Sequence, residues 1–133
     1  MTDTRHRILV VDDLPDWRKT LGGLLKDAGY EVQVAGSSAA ALALLRSGHF
    51  DLALLDMRLD ESDEDNREGL NLADEIRQHW PAVKVVIITG YGTPDTLRRA
   101  REPDARGQRL AEEYIPKNQT EDLVQVVQRV LAQ

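Results

Sequence analysis

Residues 8–13 read Ile8-Leu9-Val10-Val11-Asp12-Asp13, and residues 85–89 read Val85-Val86-Ile87-Ile88-Thr89. Each is a short β-branched run with no polar alternation, closed by polar residues. That is the pattern of a strand covered on both faces. Strands of this kind belong to parallel sheets, whose crossovers need a helix to bring the chain back to the same edge. The sequence on either side supplies the rest of the alternation. Val32-Gln33-Val34 and Leu52-Ala53-Leu54-Leu55 read as two further strands, and Tyr114-Ile115 as a shorter fifth.

Helical patterns fill the intervals. Leu14, Trp17, Leu21, Leu24, Leu25 and Ala28 recur at three- and four-residue spacing and form one apolar stripe. Gly29 then stands where a helix end wants a residue that accepts positive φ. Ser37 is placed to cap a second helix through Leu45, followed by Gly48. Leu70, Ala73, Ile76 and Arg77 mark a third, halted by Trp80-Pro81. Thr93-Pro94 is a cap with a first-turn proline and opens a fourth. Asn118 or Thr120 caps a fifth that carries Leu123, Val126, Val127, Val130 and Leu131. Five strands alternating with five helices predict an α/β fold, a five-stranded parallel doubly wound sheet with helices on both faces.

Composition sets the outer limits. A chain of 133 residues is the size of one domain, so residues 1–133 are expected to form a single unit. Its hydrophobic share of 41% and charged share of 30% are those of a soluble globular protein. A net charge of -6 speaks against direct nucleic-acid binding and against a membrane-surface role, both of which reward a basic footprint. The absence of cysteine removes disulfides and thiolate metal sites. No apolar stretch approaches the length of a membrane span or a signal-peptide core, and the expected address is cytoplasmic. Residues 60–68, dense in acid, and residues 98–109, rich in arginine, read first as solvated segments.

In an open parallel sheet ligands bind beyond the carboxyl ends of the strands. The residues that close each strand therefore carry the functional question. The first strand ends in Asp12-Asp13, the third in Asp56 and the fourth in Thr89, while the fifth runs into Lys117. Singly, each has a bland reading, since an acid after a strand often caps the next helix. Together they place three carboxylates, a hydroxyl and an ammonium on one edge. Crowded carboxylates repel one another unless a cation pairs with them. Oxygen-only ligands suit a hard cation, and Mg²⁺ held by few carboxylates keeps positions open for phosphate oxygens.

At these residues the chain resembles the receiver domains of two-component response regulators, over essentially its whole length. Ile8 to Asp13 is similar to the family's first strand and acid pair, and Leu54-Leu55-Asp56-Met57 to its phosphoacceptor strand. Ile87-Ile88-Thr89-Gly90 resembles the switch hydroxyl with its small follower, and Tyr114-Ile115-Pro116-Lys117 the aromatic and lysine. The resemblance implies that Asp56 accepts a phosphoryl group from a sensor histidine kinase or phosphotransfer protein. It implies Mg²⁺ held by Asp12, Asp13, Asp56 and the backbone carbonyl of Arg58. Lys117 then contacts the phosphoryl group, and Thr89 and Tyr114 form the switch. The chain is thus no enzyme in the ordinary sense, though it catalyses its own Mg-dependent phosphorylation and dephosphorylation. Output would pass to a downstream protein or an output domain. The face of the fourth helix, fifth strand and fifth helix would be the one available to a homodimer.

Three departures stand out. Asp60 occupies the place of a family proline, and the acidic stretch delays the matching Gly69. The interval from Thr89 to Lys117 is long. Asn118 follows Lys117 where the family has a proline in a cis bond, and a cis non-proline bond costs about 2.5–4 kcal/mol, so a trans or strained bond is expected. Two other classes compete. An aspartyl-phosphate phosphohydrolase would want a second acid at position 58, which is arginine. A phosphorylation-independent interaction module would not need the full set of Asp12, Asp13, Asp56, Thr89 and Lys117. Gly90-Tyr91-Gly92 lacks the third glycine of a nucleotide loop, and His6, His49 and His79 are scattered.

Overall fold

The computed structural model describes residues 6–56, 67–89, 111–116 and 121–132. Within them β1 (Arg7–Val11), α1 (Pro15–Asp27), β2 (Glu31–Ala35), α2 (Ser38–Ser47), β3 (Leu52–Asp56), α3 (Arg67–His79), β4 (Lys84–Thr89), β5 (Glu113–Pro116) and α4 (Leu123–Leu131) follow in order. All four strand pairings are parallel, and the order across the sheet is β2-β1-β3-β4-β5. The five-stranded parallel sheet expected from the sequence is present. The predicted helix opened by Thr93-Pro94 lies outside the described residues.

The continuous apolar runs are explained by the two layers they feed. Leu9, Val11, Ala53, Leu55, Val85 and Ile87 pack with Ala41 and Leu45 of α2 and Leu72, Ala73 and Ile76 of α3. The alternate residues Ile8, Val10, Leu52, Leu54, Val86 and Ile88 pack with Leu21 and Leu25 of α1 and Leu123, Val127 and Val130 of α4. Every residue of β3 is buried, so its leucines and alanine feed both layers, and its one polar residue, Asp56, stands at the carboxyl end. Each fully buried leucine or isoleucine contributes about 1.5–3 kcal/mol, and this repeated term holds the layers on the sheet. β2 differs because it is an edge. Only Ala35 of its five residues is buried, and Val34 keeps 46% of its surface.

The helix ends follow local chemistry. Gly29 has a φ of 98°, the conformation its place after α1 demanded. The Ser37 side chain accepts the Ala40 N–H at 3.1 Å and caps α2. α3 ends at His79, just before Trp80-Pro81. Two expectations need correction. The apolar face of α3 includes Leu72, which the predicted stripe passed over. The N-cap of α4 is Asp122, with no side-chain cap bond, and the proposed caps Asn118 and Thr120 lie outside the described residues. Before β5, Glu112 accepts the Val85 N–H at 2.6 Å, pairs with Arg77 of α3 and donates its own N–H to the Val85 carbonyl at 2.8 Å. That three-way tie fixes where β5 joins the sheet.

Candidate functional site

The strand order turns outward in both directions from β1 and β3, so a crevice opens between their carboxyl ends. β1 stops at Val11, which delivers Asp12 and Asp13 to that crevice, and β3 stops on Asp56. One carboxylate oxygen from each lies within 4.8 Å of the other two. Asp12 is fully buried, Asp56 is 3% exposed, and Asp13 is partly exposed. Among the described residues this is the one group of three such side chains close enough to share an ion.

The capping explanation for the acid pair does not hold. The N-cap of α1 is Leu14, with extended φ and ψ of -94° and 121° and no side-chain cap bond, and proline opens the helix. Asp12 is instead tied on three sides. Its N–H donates to the Ala35 carbonyl at 3.1 Å, extending the β1–β2 ladder by one step. Its Oδ1 accepts the Leu14 N–H at 2.9 Å. Its carbonyl accepts from Arg18 Nη1 at 2.8 Å. Sequence reading missed Arg18. The signal available was an arginine one turn into α1 and beside the Leu14-Trp17-Leu21 stripe, where a guanidinium can fold back on the strand end.

The remaining members are placed by backbone register. Asp56 pairs with Ile88, and Ile88 with Ile115, so the three form one row across β3, β4 and β5. Thr89 pairs with Pro116 in the next row and ends β4 beside the Asp56 strand end. Tyr114 is in β5, opposite Ile87. Arg58, Lys117 and the Lys117–Asn118 bond lie outside the described residues, as do residues 60–66 of the acidic stretch and the whole of 98–109. Three carboxylates, two of them buried, are a costly arrangement without a positive partner and a fitting donor set for a hard cation.

The sequence pattern of the response regulator receiver domain matches residues 8–128. This chain belongs to that family. The receiver domain is 42% identical over 94 residues to the alginate biosynthesis transcriptional regulatory protein AlgB of Pseudomonas putida, covering 71% of the chain and 20% of that protein. It is 38% identical over 91 residues to the nitrogen assimilation regulatory protein NtrX of Azorhizobium caulinodans, covering 68% of the chain and 19% of the relative. It therefore spans about a fifth of the length of these relatives. Among solved structures, the receiver domain of NtrX from Brucella abortus superposes with a TM-score of 0.78 at 35% identity, covering 94% of this chain and 98% of that one. TrrA from Thermotoga maritima, solved with Mg(2+)-BeF, gives 0.75 at 31% identity and the same two coverages.

Proposed function

We propose that residues 1–133 form one phosphoacceptor receiver unit, in which Asp56 takes a phosphoryl group from a sensor histidine kinase or phosphotransfer protein. The observation that carries this reading is the convergence of Asp12, Asp13 and Asp56, two of them buried, at the β1–β3 crevice of a receiver fold. An Asp56 carboxylate oxygen attacks phosphorus, the P–N bond to the donor imidazole breaks, and the imidazole leaves with the electron pair and gains a proton. The product is an acyl phosphate on Asp56. Asp12, Asp13, Asp56 and the Arg58 carbonyl hold Mg²⁺, which when bound neutralises charge on the phosphoryl oxygens. The TrrA complex with Mg(2+)-BeF supports that choice of cation.

The Lys117 ammonium meets a phosphoryl oxygen, Thr89 donates a hydrogen bond to another, and Tyr114 turns inward as Thr89 moves. Water attack on the same phosphorus returns the carboxylate and releases phosphate, so the domain turns itself off. The reading carries a cytoplasmic address with it. Among the described residues no helix is long and apolar enough to cross a membrane. Output passes to a downstream protein or an output domain, and the last strand and helix contribute to the face a homodimer would use. A module working without phosphorylation would have no need to bury two of three crowded acids.

Borohydride reduction tests the assignment, because it converts an aspartyl phosphate to homoserine while leaving aspartate untouched. After treatment with acetyl phosphate and Mg²⁺, peptide mapping should find homoserine at position 56. Homoserine at another aspartate, with none at 56, would overturn the acceptor assignment.

A further inference from the structure

The carbonyl that Arg18 holds belongs to the peptide joining Asp12 to Asp13. Rotation of that peptide plane would re-aim both carboxylates at once. The Asp12 N–H and Oδ1 are fixed by Ala35 and Leu14, but neither bond restrains the plane on its far side. The 2.8 Å bond from Arg18 Nη1 does. A second observation shows that the guanidinium is seated there. At Gly36, in the turn after β2, a Cβ would stand 2.9 Å from Arg18 Nη1 and 3.4 Å from Cζ. The guanidinium lies against the Gly36 backbone, on ground only glycine leaves open.

We propose that Arg18 is a positioning residue of the acid pocket, and that Gly36 is its seat. This rests on the reading of Asp12 and Asp13 as Mg²⁺ ligands. Two physical effects of Arg18 oppose each other. As a positive charge near the pocket it repels a cation, so its removal would tighten metal binding. As the restraint on the Asp12–Asp13 peptide it keeps both ligands aimed, so its removal would weaken binding. The hydrogen bond from Arg18 to the Asp12 carbonyl is short and direct, and groups that hold metal ligands in place commonly account for about ten- to hundred-fold in affinity. Positioning therefore dominates. Gly36→Ala offers a second way to break the same contact. The added methyl meets the far end of a flexible side chain and not backbone, so it dislodges the guanidinium while the fold persists.

Calorimetric titration with Mg²⁺ alone tests this in wild type, Arg18→Met, Arg18→Lys, Gly36→Ala and the Arg18→Met, Gly36→Ala double variant. Arg18→Met should raise the dissociation constant about tenfold. Arg18→Lys should recover part of the loss, and Gly36→Ala should weaken binding by a smaller factor. The double variant should bind no more weakly than Arg18→Met, because both changes break one contact. Unchanged or tighter binding by Arg18→Met would overturn the inference, as would independent, multiplying effects of the two substitutions. No Mg²⁺ binding by the wild type would overturn the pocket reading itself, and this inference with it.

Discussion

Asp12 shows how a single residue type can be legible while its role is not. Its place after an apolar run marked it at once, but helix capping explained it equally well until Leu14 proved to be the cap. What separates the readings is burial. A fully exposed cap carboxylate costs little, whereas Asp12 and Asp56 are withdrawn from water within 4.8 Å of Asp13. Mg²⁺ should therefore stabilise the fold. At a free concentration about ten times its dissociation constant, binding adds roughly 1.4 kcal/mol by mass action. Thermal melts should rise with Mg²⁺ in the wild type and in Lys117→Ala, since the lysine is assigned to the phosphoryl group. They should rise much less in Asp13→Ala. Equal responses in all three proteins would refute the pocket. Arg18 and Gly36 were illegible for a physical reason: their contact joins a helix to a distant turn, and no local spacing encodes it.

The elements were readable wherever burial is symmetric or a terminus has its own chemistry. β1, β3 and β4 are continuous apolar runs because both faces are covered, and Gly29 and Ser37 mark helix ends through φ and a hydroxyl. β2 was found from two valines, yet its exposure was not, because edge position is a property of the sheet. The amino-terminal rim of the sheet was also silent in sequence. There Asp51 accepts the Arg7 N–H at 2.8 Å and meets His49 Nε2 at 3.0 Å and His6 Nδ1 at 3.6 Å, tying β1 to the start of β3. Partial burial pushes the Asp51 carboxyl up. The Arg7 and His49 hydrogen bonds and the charges of His49 and His6 outweigh it and hold the group below its ordinary 3.8. A folded-state value below the unfolded one means stability that is complete above the unfolded value and lost as pH falls through the folded one. The wild type should therefore melt above Asp51→Asn at about pH 6, and the gap should close below about pH 3.8. A gap that is constant or widens on acidification would contradict the rim's role.

At the scale of the whole molecule, the sequence carried the topology because parallel sheets impose both burial and crossover length. The strand order β2-β1-β3-β4-β5 then explains why Asp56 meets the pair Asp12-Asp13, although more than forty positions separate it from them in the chain. Between Thr89 and Lys117 the sequence offers the Thr93-Pro94 cap and the short Tyr114-Ile115 strand, but no spacing there encodes the Arg77–Glu112–Val85 tie that holds the start of β5 against β4. The domain spans about a fifth of the length of these relatives, and in the proposed function the change at Asp56 is chemical before it is conformational. That chemical event is the central claim. Intact mass should be measured after incubation with acetyl phosphate and Mg²⁺, for the wild type and for Asp56→Asn. The account predicts one added phosphoryl group on the wild type and none on the variant. A stable adduct on Asp56→Asn, or no adduct on a folded wild type that binds Mg²⁺, would contradict it.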